Sequence, residues 1–100
     1  MVSVGLFIRL PAKPGKEQEV ADFLISAMPI IQQEHDTTAL FMIRLSPAEF
    51  GIVNAFPNEA GRQAHMTGAA AEALFARAGE LLSAPPTVEP VDILAAKLPG

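Results

Sequence analysis

Residues 37–56, TTALFMIRLSPAEFGIVNAF, predict two β-strands joined by a tight turn. The first strand, about residues 37–45, is rich in β-branched, Phe and Met side chains, and the second covers about residues 49–56. Ser46-Pro47 ends the first strand, because a proline cannot donate to a sheet ladder. Since the link between the strands is so short, they are predicted to pair as an antiparallel hairpin.

One strand and one helix are predicted on the N-terminal side of this hairpin. Residues 2–10, VSVGLFIRL, alternate between two sets of side chains, which is the period of a strand. Pro14-Gly15 follows as a turn, and residues 16–34 repeat apolar side chains at helical spacing. Pro29 lies inside this helix and is predicted to kink or split it, because proline lacks the N–H that a helix requires.

A second helix and a last strand are predicted on the C-terminal side. Asn58 is a candidate N-cap for a helix that continues to about residue 83. Thr67-Gly68 is predicted to interrupt that helix, since an interior glycine costs roughly 1 kcal/mol. After the connector Ala84-Pro85-Pro86, residues 88–97 alternate as a fourth strand.

The resulting β-α-β-β-α-β order is that of ferredoxin-like α+β domains. We expect residues 1–100 to form one such domain, a four-stranded antiparallel sheet with two helices on one face. The opposite face carries either Gly5, Phe7 and Arg9 or the alternate set of residues 2–10. Because the first hairpin strand is apolar on both faces, both faces should be covered. Back-to-back pairing of two sheets covers them, so a homodimer, a dimeric α+β barrel, is predicted.

Composition excludes several functional classes. The 100 residues contain no cysteine, which excludes disulfides, thiolate catalysis and cysteine-based metal sites. The net charge is −4 and the seven Lys and Arg are dispersed, so nucleic acid is not an expected partner. No apolar run approaches the roughly 18–20 residues of a membrane span and no secretory signal is evident. A cytoplasmic protein is therefore expected.

Three stretches resemble the antibiotic biosynthesis monooxygenase family, of the quinol monooxygenase type. They are residues 12–17 (AKPGKE), residues 34–36 (EHD), and residues 54–58 (NAFPN) together with His65. The resemblance extends over nearly the whole chain and implies the dimeric α+β barrel fold. It also implies an oxidoreductase that oxidises quinols or polycyclic phenols directly with O2, without metal, flavin or other cofactor.

The chain also departs from the family pattern at several positions. Asn54, Phe56 and Asn58 stand where Glu, Trp and Asp are usual, Asp36 stands where Gly is usual, and Ala70 stands where a second histidine is frequent. These departures favour an alternative function, a non-catalytic module of the same fold that binds a small aromatic ligand or another protein.

Two residues are candidates for catalysis. His65 is the candidate base, because histidine changes its charge near physiological pH and this one borders the apolar face of a helix. Asn54 is the candidate hydrogen-bond donor to a substrate oxygen, because an amide in an apolar strand needs a partner. The alternatives are a boundary histidine satisfied by a nearby polar group and an asparagine satisfied inside the barrel or the dimer interface.

Six further residues are candidates for contact with a substrate. The aromatic ones would line an apolar pocket, and the basic ones would offset a phenolate; they are Phe7, Phe41, Phe56, Phe75, Arg9 and Arg44. The alternatives are core packing for the aromatic residues and, for the arginines, solvent or pairing with Glu49, Glu89 or Asp92. His35 falls in the turn after the first helix, and no His-x-x-x-His spacing occurs, so no metal site is expected.

Overall fold

The structure is a computed structural model, and it describes residues 1–99. Its elements follow the predicted order, with the second helical region divided into two helices. The elements are β1 (Val4–Pro11), α1 (Glu17–Ile31), β2 (Ala39–Ser46), β3 (Glu49–Phe56), α2 (Glu59–Met66), α3 (Ala69–Leu81) and β4 (Thr87–Asp92).

The four strands form one antiparallel sheet in the order β2-β3-β1-β4. The predicted hairpin is present, with Ala39 opposite Ala55 at one end and Ser46 opposite Glu49 at the other. This strand order and the β-α-β-β-α-β connectivity are those of a ferredoxin-like domain. The predicted α+β fold is therefore confirmed.

The second helical region breaks where the sequence indicates. Asn58 caps α2, because its side-chain Oδ1 accepts a hydrogen bond from the Gly61 N–H at 2.9 Å. α2 ends at Met66, and Gly68, in an extended conformation, is the N-cap of α3. The structure thus has three helices rather than two.

α1 remains a single helix, although Pro29 lies within it. The predicted split does not occur: Pro29 lies in the last turn, so the bond lost is the one to the carbonyl four residues back, and the helix ends two residues after the proline. The helix ends at Ile31 instead of residue 34. Beyond it, the N–H groups of Gln33 and Glu34 bond to the carbonyls of Ile30 and Ile31, three residues back. These tight turns bring Glu34 to the end of the helix and not onto its surface.

β4 is shorter than predicted because β1, its neighbour in the sheet, begins only at Val4. It pairs with β1 alone, and Asp92 lies opposite Val4, the first residue of β1. One more backbone bond, from the Ile93 N–H to the Ser3 carbonyl, extends the pairing. Residues 94–99 have no strand beside them, so the predicted extension to residue 97 does not form.

The helices cover one face of the sheet and leave the other open. Leu6, Ile8 and Leu10 of β1 are buried against Leu24 of α1 and Leu81 of α3 in the main hydrophobic core. The alternation in residues 2–10 left two possible orientations, and this one places Phe7 and Arg9 on the open face.

The open face is apolar in its centre. Phe41, Ile43, Leu45 and Val53 are large hydrophobic side chains that remain exposed there, Phe41 to 63%. Gly51 lies beneath them, and a Cβ atom added to it would meet atoms of Ile43 and Leu45 within 3.3 Å. The prediction that β2 is apolar on both faces thus corresponds to an uncovered apolar surface in the single chain.

None of the helices within residues 1–99 is long and apolar enough to cross a membrane.

Candidate functional site

The site is built around His65 in the last turn of α2. Its side chain is 6% exposed, and its ring packs on that of Phe56 with a centroid distance of 5.4 Å and an interplanar angle of 43°. α2 approaches the turn after α1 closely, since a Cβ on Gly61 would lie 2.9 Å from the Asp36 Cβ. A side chain at position 61 would push His65 away from that turn.

Arg62 fixes the same helix to the sheet. Its Nη1 donates to the carbonyl of Gly5 at 3.1 Å and to that of Val91 at 3.4 Å. Its Nη2 donates to Glu59 at 2.5 Å, and this hydrogen bond lowers the pKa of the Glu59 carboxyl and raises the pKa of the Arg62 guanidinium. The next turn of the helix carries His65, so these bonds set the position of the imidazole.

Glu34 is the hydrogen-bond partner of His65. Its Oε1 lies 2.6 Å from His65 Nδ1, and the same oxygen accepts from Thr37 Oγ1 at 2.6 Å. An ionised carboxylate only accepts, so we assign the proton of the first bond to Nδ1. In the neutral imidazole Nε2 then carries the free lone pair, and no hydrogen bond to it is formed within residues 1–99.

An apolar cavity, the His65 cavity, lies between the helices and the sheet. Its volume is about 30 Å³, and His65 is the single polar residue among those lining it in the described chain. The walls come from both layers of the fold and include Ile8, Leu24, Met42, Ile52, Leu74 and Phe75. At roughly 10–15 Å³ of such volume per water molecule, the cavity has room for two or three waters and not for an aromatic ring.

A second, polar recess touches His65 from the outside. It has a volume of about 180 Å³ and is lined by Glu34, His35, Asp36 and Thr37 together with the start and middle of α2. The imidazole therefore lies between an apolar interior and a polar surface. Glu34 makes its hydrogen bond to Nδ1 on the side of this recess.

Asn54 has a structural partner. It is 2% exposed, and its Oδ1 accepts a hydrogen bond from the Leu6 N–H at 2.9 Å. The strands are unusually close here, since a Cβ on Gly5 would lie 2.3 Å from the Asn54 carbonyl oxygen. Asn54 does not line the His65 cavity, and its buried Nδ2 has no hydrogen-bond partner within residues 1–99. Its predicted role as a donor to substrate stays a prediction.

The four phenylalanines predicted to contact a substrate lie on two different sides of the sheet. Phe75 lines the His65 cavity and Phe56 packs on the imidazole ring. Phe7 and Phe41 lie on the open face of the sheet, on the side opposite the cavity. The structure thus brings two of the four predicted phenylalanines to the candidate base.

Both arginines have partners elsewhere. Arg9 lies over the ring of Phe7 at 4.6 Å and within 3.6 Å of Glu49 and 4.0 Å of Glu89, the carboxylates proposed as its alternative partners. Arg44 lies over the Phe50 ring at 4.6 Å and donates to the Pro47 carbonyl. Neither lines the His65 cavity.

Comparison with solved structures identifies the fold and a close relative. The chain is 53% identical to the NE2512 protein of Nitrosomonas europaea, a protein of unknown function, with a TM-score of 0.98 over 100% of this chain and 97% of that one. The chain belongs to the NE2512 family. A scan of protein-family models finds no match, and neither does a search of curated proteins.

More distant structures share the fold. A protein from Caulobacter crescentus described as a "putative antibiotic biosynthesis monooxygenase" is 14% identical, with a TM-score of 0.81 over 94% of this chain and 92% of that one. Another, described as an antibiotic biosynthesis monooxygenase, is 16% identical, with a TM-score of 0.78 over 92% and 99%. This NE2512-family protein therefore has the antibiotic biosynthesis monooxygenase fold, as the sequence resemblance predicted.

Sequence reasoning missed the role of Glu34 in the site. The stretch Glu34-His35-Asp36 contributed to the family resemblance, but nothing in the sequence pairs Glu34 with a histidine 31 positions away. A metal centre is not formed: within residues 1–99, no three His, Asp or Glu side chains group in a way that could hold an ion.

Proposed function

We propose that this protein is a cofactor-independent monooxygenase that oxidises quinol-type or polycyclic phenolic substrates with O2. One observation carries the proposal: His65, oriented by Glu34, is the sole polar residue that the described chain places on the wall of an apolar cavity. A base at the wall of an apolar cavity suits a reaction that begins with loss of a phenolic proton. The fold shared with proteins described as antibiotic biosynthesis monooxygenases supports the choice.

The reaction balances without a cofactor. His65 Nε2 takes the proton of a quinol O–H, and the resulting anion passes one electron to O2. The superoxide and the substrate radical combine to form a C–O bond, and His65 returns the proton to the peroxide. The O–O bond then breaks as the ring carbon loses its hydrogen. Quinol and O2 become hydroxyquinone and water, so the substrate supplies all four electrons.

The surroundings of His65 assist the first step. An apolar wall keeps water from the anion, and the buried imidazolium that forms is stabilised by Glu34. The Glu34 side chain is 18% exposed, so its charge acts on the imidazole with little solvent screening. Glu34 is thus a positioning residue for the proposed base.

The size of the His65 cavity favours a second candidate function. Ligand pockets usually have volumes of roughly 300–1,000 Å³, well above the 30 Å³ found here. A cavity this small fits a non-catalytic module of the same fold, in which His65 is a core residue whose hydrogen bond to Glu34 has a structural role. The two functions differ in whether a phenolic compound reaches His65.

We further propose that the chain forms a homodimer through the open face of the sheet. The exposed apolar side chains Phe41, Ile43, Leu45 and Val53 form one patch there, and a patch of this kind marks an interaction site. A second copy would bury it sheet against sheet. Light scattering should then give twice the chain mass of 10.6 kDa.

Oxygen consumption tests the monooxygenase proposal. The purified, metal-free protein should consume O2 with members of a panel of hydroquinones, anthrones and naphthols. His65→Ala should lower kcat/KM by roughly 10²- to 10⁴-fold, the usual contribution of a general base. His35→Ala is the matched control, because His35 is exposed and lies outside the cavity. Absence of turnover on the whole panel would favour the non-catalytic module.

A further inference from the structure

Phe75 lies on the wall between the His65 cavity and a surface groove. The groove, here the α3 groove, is bounded by the C-terminal half of α3 and the connector Ala84-Pro85-Pro86. Its volume is about 400 Å³, and Phe75 lines both the groove and the cavity. The interior around His65 and a large apolar recess that is open to solvent therefore meet at Phe75.

The position of Phe75 permits its ring to move. The residue is 47% exposed, although it lies at the edge of the core. A helical phenylalanine has two allowed χ1 wells, and exposed side chains exchange between such wells within picoseconds to nanoseconds. Because nearly half of the side chain is free of protein contact, a rotamer change needs no movement of the helix backbone.

Gly79 leaves space beside this ring. It lies one turn further along α3, also lines the α3 groove, and a Cβ added to it would meet no atom within 4 Å. Alanine would fit there without any clash and would favour the helix by roughly 1 kcal/mol. No packing contact requires the glycine, and its effect is to keep the groove open next to Phe75.

We propose that Phe75 is the gate of the His65 cavity and that a flat, fused-ring phenol enters from the α3 groove by displacing the Phe75 ring. This inference rests on the proposed function and names the substrate route for the same site. The cavity alone admits only water, whereas the cavity joined to the groove falls within the usual volume of a ligand pocket. The lining is apolar apart from His65 at the inner end and Ser83 at the outer end, so the ring system lies along the groove with its hydroxyl toward the imidazole.

Binding of 1-naphthol tests the gate independently of turnover. The chain contains no Trp and no Tyr, so naphthol fluorescence can be followed without protein emission. Phe75→Ala removes the ring that must be displaced, and it should tighten binding about fivefold, because that ring is only half buried. Gly79→Leu fills the space beside the ring and should weaken binding by at least as much. Ile25→Ala, an exposed apolar side chain on α1, is the control and should leave the Kd unchanged.

The outcomes separate the gate from the proposed reaction. Opposite shifts of the Kd in Phe75→Ala and Gly79→Leu, with both variants still unfolding cooperatively well above the assay temperature, support the gate whether or not O2 is consumed. Binding in both variants that equals that of the unmodified protein overturns it, and so does failure of Phe75→Ala to bind 1-naphthol at all. If O2 is consumed at the same rate by the unmodified protein, Phe75→Ala and Gly79→Leu, the gate is contradicted and the proposed reaction is not. Binding with the predicted shifts but without O2 consumption contradicts the monooxygenase alone.

Discussion

Replacement of Glu34 by Ala should destabilise the fold through His65. The imidazole is almost fully buried, and its Nδ1 has Glu34 as its only hydrogen-bond partner in the described chain. The substitution leaves this donor without an acceptor in the interior, which costs about 1–3 kcal/mol, and it also removes the acceptor of the Thr37 hydroxyl. We therefore expect a loss of about 2 kcal/mol in the free energy of unfolding. For a domain of this size that corresponds to a fall in Tm of about 8–16 °C.

Thermal and urea unfolding followed by far-UV circular dichroism measure this loss. All variants should be compared at one protein concentration, because association would make the apparent stability concentration-dependent. Glu72→Ala is the matched control, since Glu72 is an exposed carboxylate on α3. The double variant Glu34→Leu with His65→Leu should recover much of the loss, because it removes donor and acceptor together. Equal stabilities of Glu34→Ala and Glu72→Ala would refute the reasoning.

Three further predictions concern the sheet, its open face and the N-terminus of α2. Gly5→Ala should lower the free energy of unfolding in urea by about 3 kcal/mol or more, because the new Cβ would lie 2.3 Å from a backbone carbonyl oxygen of the neighbouring strand. Gly79→Ala places its Cβ in open space and should raise that free energy by about 0.5–1 kcal/mol. Equal effects of the two substitutions would contradict this prediction. Phe41→Asp should give a monomer in light scattering with unchanged helix content, since it places a charge in the centre of the open face; a retained dimer would show that the interface lies elsewhere. The hydrogen bond from Arg62 lowers the pKa of Glu59, so that carboxylate stabilises the fold above its unfolded pKa and this contribution is lost as the pH falls through the lowered folded value. Urea unfolding at several pH values should accordingly show Glu59→Gln less stable than the unmodified protein at neutral pH and equal to it in acid, and a constant difference would contradict the sign.

The parts of the fold that were predictable from sequence are those set by local chemistry. The break at Thr67-Gly68 and the cap at Asn58 depend on the conformational preferences of the residues themselves. The hairpin follows from two stretches of strand-forming residues separated by a short link after Ser46-Pro47. The end of β4 was not predictable in the same way, because it depends on where its neighbour β1 begins.

The composition of the site was less predictable, for reasons of tertiary packing. The even-numbered set in residues 2–10 is wholly apolar, but a dimer was expected to cover both faces of the sheet, so the sequence interpretation did not decide which set faces the helices. His65 was predicted from the family resemblance together with the chemistry of histidine. Glu34 was not found as its partner, because their contact is made only when α2 packs against the turn that follows α1.

Oxygen isotope labelling tests the central claim most directly. The protein is supplied with a quinol that it turns over and with ¹⁸O2 in unlabelled water, and the product is analysed by mass spectrometry beside that of His65→Ala. The proposed reaction predicts a hydroxyquinone with one labelled oxygen atom, one O2 consumed per quinol, and little product from the variant. Unlabelled product, or labelled product formed equally fast by His65→Ala, would contradict base-initiated monooxygenation at His65.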